Sequence, residues 1–128
     1  KQRTEKKNRD THVYYFTSAQ FSKYPDYRLA LVNVFSPLKS VNDSNIDIIH
    51  VHGVATTGLV AVKTAAQYHI PIIASFHTIV PDAVHYLSSN KSINDILSTV
   101  AWKYLRWYYR HFEKILVPTE YVLKMLKD

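Results

Sequence analysis

Three short, nearly continuous apolar runs organise this chain: residues 46–51 (IDIIHV), 72–76 (IIASF) and 114–117 (KILV). Runs of this length read as strands buried on both faces of a parallel sheet. Between the first two, residues 55–69 (ATTGLVAVKTAAQYH) carry Leu59, Val62, Ala66 and Ile70 at helical spacing, and Pro71 stops the helix. Between the second and third, Ser92-Ile93-Asn94-Asp95 reads as a helix start, and the helix is expected to run to about Phe112. After Pro118, Thr119 is placed to cap a last helix over residues 120–127, with Glu120 early and lysines late, as the helix dipole favours. Strand, helix, strand is the right-handed βαβ unit, which requires parallel strands. The pattern therefore predicts an α/β fold, an open Rossmann-like parallel sheet with helices on both faces.

Upstream the pattern is less regular. Residues 11–17 (THVYYFT) are β-branched and aromatic and predict a strand, whereas 22–28 (SKYPDYR) read as a turn. Residues 29–41 are mixed, with Pro37 placed to open a short helix. A doubly wound sheet normally begins with a core strand and a glycine-containing loop, and this chain shows neither. The sheet is thus expected to be incomplete, its first strand missing. An exposed strand edge would then be open to pairing, including dimer formation.

Composition narrows the chemistry. With 128 residues, 47% of them apolar, there is room for one domain and one core. No stretch approaches the ~20 apolar residues that span a bilayer, and the first ten residues hold no apolar run of the signal-peptide kind. Cysteine is absent, which removes disulfides, thiolate metal sites and a cysteine nucleophile and fits a reducing, cytoplasmic compartment. The only glycines are Gly53 and Gly58, so neither a P-loop nor a G-x-G-x-x-G turn exists to cradle phosphate. The net charge of +6 is uneven: residues 1–10 hold five basic and two acidic groups, residues 11–90 balance at four and four, and residues 91–128 hold seven and four. Residues 1–10 read as a basic polar tail, solvated rather than docked.

In open parallel sheets, ligands bind outside the carboxyl ends of the strands. Here those ends read His52-Gly53, His77-Thr78 and Pro118-Thr119-Glu120. Two strands are expected to bring a histidine each to one rim, with Gly53 allowing a close backbone approach. His50 alternates with His52 and shares its face; it reads as a core histidine with a backbone partner. No ligand set for a metal is visible, and Ser75 lacks the flanking glycines of a nucleophile elbow.

Four segments in register carry a resemblance: YPDYRLA at Tyr24–Ala30, DIIHVHG at 47–53, PIIASFHT at 71–78 and ILVPTEYV at 115–122. Together they resemble the N-terminal, acceptor-side domain of family-four retaining glycosyltransferases of the GT-B fold. Two further runs, FHTIVPDAVHYL at 76–87 and WKYLRWYYRHF at 102–112, look like members that glycosylate lipids, such as diacylglycerol glucosyltransferases. The resemblance implies that residues 11–128 are part of that domain in a hexosyltransferase using a nucleotide sugar. It implies that His77 lies in the interdomain cleft and positions the donor sugar. It likewise implies that His52, Gly53, Thr78, Asp82, His85 and Tyr86 border the acceptor, a lipid or a carbohydrate. The nucleotide itself would be held mostly by a C-terminal domain that this chain lacks, with no metal required, so the isolated chain is expected to be inactive.

Projected as a helix, residues 97–115 separate an apolar stripe of Leu97, Ala101, Tyr104, Leu105, Tyr108, Phe112 and Ile115 from a side bearing Lys103, Arg106, Trp107, Arg110 and Lys114. A tryptophan among cations suits an anionic headgroup interface, consistent with a peripheral location on the inner membrane face. Two rivals remain at this level. The basic aromatic helix could bind nucleic acid, although residues 11–90 are neutral and carry no recognition motif, so no nucleic-acid partner is expected. The chain could also be a non-enzymatic Rossmann-like interaction module.

Overall fold

The computed structural model describes residues 2–8, 11–21, 24–42, 45–77 and 90–127. Its centre is a three-stranded parallel sheet in the order β5 (Ile49–Val51), β6 (Ile72–Ser75), β7 (Lys114–Leu116). Ile49 pairs with Ile72 and Val51 with Ala74, while Ala74 pairs with Ile115. Two antiparallel hairpins precede it, β1 (Gln2–Asn8) with β2 (Thr11–Phe16) and β3 (Ser18–Phe21) with β4 (Tyr24–Ala30). The helices are α1 (Lys39–Asn42), α2 (Thr56–Tyr68), α3 (Lys91–Tyr109) and α4 (Glu120–Lys127).

The alternation of the strands decides the packing. Val51, Ile72, Ala74 and Phe76 point to one face and are buried there with Ala65 of α2, Leu105, Tyr108 and Tyr109 of α3, Phe112, and Val122 of α4. Burying one such large side chain is worth about 1.5–3 kcal/mol, so this face holds most of the domain's stability. The core is aromatic: the Phe76 and Tyr109 rings lie 5.7 Å apart and those of Tyr108 and Phe112 5.0 Å apart. Helices α2, α3 and α4 all contribute side chains to this face. The other face carries His50, Ser75 and Leu116, of which Ser75 alone is buried.

Helix α2 meets its neighbours through small residues. The predicted line of Leu59, Val62, Ala66 and Ile70 is half-buried or exposed, and the buried positions are Gly58, Val60, Thr64 and Ala65. Thr64 fits because its hydroxyl donates to Val60 O at 2.7 Å and accepts from Leu38 N at 3.0 Å. His69 closes the helix in the left-handed region, with φ 55°. Helix α3 is capped by Asn90, ahead of the start expected at Ser92, whereas Thr119 caps α4 as expected. Asn90 accepts from the backbone of Ser92 and Ile93 at the start of α3, and Thr119 Oγ1 accepts from Val122 N at 3.3 Å.

Several expected boundaries shift. Residues 1–10 were expected as a tail, yet Gln2–Asn8 forms β1; antiparallel pairing takes its bonds from the partner's backbone and needs no apolar residues. The expected turn over residues 22–28 overlaps β4, where Arg28 Nε donates to Ser18 Oγ across the hairpin at 2.9 Å. The first core strand was expected from residue 46 but begins at Ile49, where Pro71 O accepts from its N–H at 2.9 Å; Ile46 and Ile48 have no strand opposite them and are exposed. The third strand is not buried, since Ile115 and Leu116 on the outer strand β7 remain exposed. Helix α3 stops at Tyr109, three residues early, in a tighter turn in which Phe112 N donates to Tyr109 O.

Candidate functional site

The parallel register places the residues after β5 and β6 side by side, and there the histidines meet. His52 Nδ1 lies 2.9 Å from His77 Nε2, with the ring centroids 5.2 Å apart and the ring planes 5° apart. Both are exposed at the rim. Two residues back along each strand, His50 Nε2 is 2.8 Å from Ser75 Oγ, and the His50 and His52 rings are 4.2 Å apart. A polar ladder therefore runs over the open face, from Ser75 and His50 to His52 and His77. His50 corrects the expectation of a core histidine with a backbone partner: its ring is exposed and its partner is the side-chain hydroxyl of Ser75 on the neighbouring strand.

The loop after β5 is held from below by α3. The Tyr108 hydroxyl donates to Gly53 O at 2.9 Å, and the Tyr104 hydroxyl donates to Val54 O. Burial raises the pKa of both phenols, and neighbouring tyrosines add to the effect at Tyr108, so each remains a protonated donor. Tyr109, buried beside them, is pushed up to about 12. Sequence reasoning placed Tyr104 and Tyr108 in the core stripe but not as clamps on the rim, and it left the buried Tyr109 out of the stripe.

The tight packing expected at Gly53 is found at Gly58 instead. A Cβ on Gly58 would meet Gly53 O and the Tyr108 hydroxyl at 2.2 Å each, so Gly58 is the residue that a close backbone approach demands. A Cβ on Gly53 would meet nothing within 4 Å. Gly53 therefore serves no packing need, and the space beside it is open at the rim.

Of the other predicted site residues, Thr78, Asp82, His85 and Tyr86 lie outside the described residues. Lys103, Arg106 and Trp107 are exposed on α3 and Arg110 is exposed at its C-cap. Lys114 does not belong to this helix face, because α3 ends before it; it lies in β7. The sequence projection missed three exposed apolar residues on the same helix: Ile93 and Ile96 precede residue 97, where it began, and Val100 was assigned to neither face. Ile93, Ile96 and Val100 are 47%, 65% and 57% exposed, and Trp107 is 51% exposed. These four fall on one helix line with Lys103 between the last two. Beside it a cleft of about 300 Å³ lies between α3 and α4, lined in part by Leu105, Arg106, Arg110, Met125 and Lys127, and away from the histidines. Among the described residues, no helix is long and apolar enough to cross a membrane, and no group of three or more His, Asp or Glu is arranged to hold a metal ion.

The family model described as Glycosyltransferase Family 4 matches residues 1–128. Among curated proteins, the alpha-monoglucosyldiacylglycerol synthase of Streptococcus pneumoniae (strain ATCC BAA-255 / R6) is 28% identical over 120 residues, which cover 93% of this chain and 26% of that protein. The chain thus spans about a quarter of the length of the curated relative it matches. No solved structure matches.

Proposed function

The chain belongs to glycosyltransferase family 4, and from that premise we propose that it forms the acceptor-side part of a retaining transferase that moves a hexose from a nucleotide sugar to a membrane lipid. The observation that carries this reading is the His52–His77 pair at the carboxyl rim of adjacent parallel strands, beside the open space at Gly53. In this reaction the bond between the sugar's anomeric carbon and the diphosphate breaks as the acceptor oxygen bonds to the same carbon, and the acceptor proton passes to the departing phosphate. The protein then has to orient the ring and support the charge that develops. A neutral imidazole at His77 can hydrogen-bond a sugar hydroxyl without moving a proton. The diphosphate is assigned to a second domain, since the strand-end loops here contain no phosphate-cradling glycine turn.

The lipid acceptor is favoured by α3. Its exposed line of Ile93, Ile96, Val100 and Trp107, flanked by Lys103, Arg106 and Arg110, has the chemistry of a helix lying at an anionic headgroup layer. The name of the pneumococcal relative, a glucosyldiacylglycerol synthase, agrees with it.

Two measurements on the full-length protein test this reading. With UDP-glucose and diacylglycerol-containing phosphatidylglycerol vesicles as probes, His77→Ala is expected to lower turnover about a hundredfold or more while the melting temperature stays put; wild-type turnover would sink the role of His77. Replacing Lys103, Arg106 and Arg110 together by glutamate is expected to weaken vesicle binding about a hundredfold, each cation being worth ~1 kcal/mol at such a surface. Unchanged vesicle binding, or salt-dependent binding to DNA and not to vesicles, would retire the membrane face and favour a nucleic-acid partner.

A further inference from the structure

His52 was expected to border the acceptor, but its ring nitrogen is already engaged. Nδ1 of His52 faces Nε2 of His77 at 2.9 Å with the planes 5° apart, so one of the two nitrogens carries the proton and the other accepts it. His52 is itself packed against the His50 ring at 4.2 Å, and His50 is fixed by the buried Ser75 hydroxyl at 2.8 Å. The parallel register sets this chain of contacts, because it brings the ends of β5 and β6 level. We infer that His52 is a positioning residue for His77: it fixes the tautomer and the ring plane of His77, and leaves Nδ1 of His77 as the nitrogen turned to a sugar hydroxyl.

The inference rests on the reading of His77 as a sugar-positioning group. It differs from that reading in what it says of His52, which acts through His77 and not on the acceptor. An imidazole free to flip or exchange tautomers presents the right nitrogen for only part of the time, and misplacement of a positioning group costs up to about a hundredfold in rate. Ser75 and His50 extend the same support one step further along the strands.

The test uses His52→Ala, His52→Asn, His77→Ala and the double variant in the full-length protein, assayed with UDP-glucose and diacylglycerol vesicles. Asparagine places an amide group where Nδ1 of His52 lies. His52→Ala is expected to lower kcat roughly 10- to 100-fold with the KM for diacylglycerol unchanged, and His52→Asn to restore most of it. In the His77→Ala background, His52→Ala is expected to add nothing, because the two residues act as one unit. Nitrogen-15 spectra of the imidazoles give a readout independent of turnover: His77 is expected to show one tautomer in the wild type and in His52→ Asn, and an averaged pattern in His52→Ala. A raised KM for diacylglycerol, additive losses in the double variant, or an unchanged His77 spectrum in His52→Ala would each overturn the inference. Wild-type turnover in His77→Ala would overturn the functional reading instead, and the spectra would still decide the contact.

Discussion

The two faces of the central sheet are made by alternate residues of the same strands, yet they are different materials. Val51, Ala74 and Phe76 point into an aromatic core, whereas His50, His52, Ser75 and His77 form a polar ladder on the opposite side. Neighbours in sequence, such as Val51 and His52 or Phe76 and His77, therefore do opposite work. The difference teaches that here the fold and the chemistry can be perturbed separately, one residue apart. The two regions are joined where Tyr104 and Tyr108 reach up to the carbonyls of Val54 and Gly53.

The strongest way to break this division is at adjacent residues 76 and 77. Phe76→Ala is expected to cost about 3–5 kcal/mol in a denaturant titration, as for a large aromatic removed from a packed core; a loss below 1 kcal/mol would mean that the core does not carry the fold. The glycines offer a second, smaller contrast. Gly58→Ala is expected to cost about 1–3 kcal/mol, because the new methyl group collides with backbone and with Tyr108. Gly53→Ala, whose methyl group enters open space, is expected to change stability by less than about 0.5 kcal/mol and to reduce sugar transfer. Equal melting temperatures for the two variants would contradict the packing.

The tyrosines sharpen the comparison through pH. Their folded-state pKa values are raised above the ordinary 10.0, to about 12 at Tyr109. Below pH 10 neither state ionises and the full stability is present. As pH rises from 10 towards about 12, the unfolded chain releases these protons first, so stability falls. Tyr109→Phe should flatten that alkaline decline in a denaturation series. A small effect of the opposite sign is expected at the end of α2. His69 occupies a left-handed conformation at φ 55°, which suits glycine, so His69→Gly should be neutral or stabilising by about 0.5–1 kcal/mol.

The parallel core was legible because its strands are continuous apolar runs closed by a turn or a proline, as at residues 72–76, and because an interposed helix leaves only one handed crossover. Strand β4 was not, since SKYPDYR carries turn residues and its extended form depends on pairing with β3. At the rim, the meeting of His52 and His77 followed from two strand ends. The Ser75–His50 contact did not, because it depends on the cross-strand register that sets His50 opposite Ile73. The close packing of Gly58 lies in tertiary contacts with Gly53 O and Tyr108, which spacing along the chain does not encode.

The central claim is that the strand ends bearing Gly53 and His77 form one sugar-handling rim. A crystal structure of the full-length protein with an intact nucleotide sugar bound tests it most directly. The account predicts a hexose hydroxyl within about 3.2 Å of the His77 imidazole, with the sugar or acceptor in van der Waals contact with Gly53. A hexose seated elsewhere, touching neither residue, would contradict it.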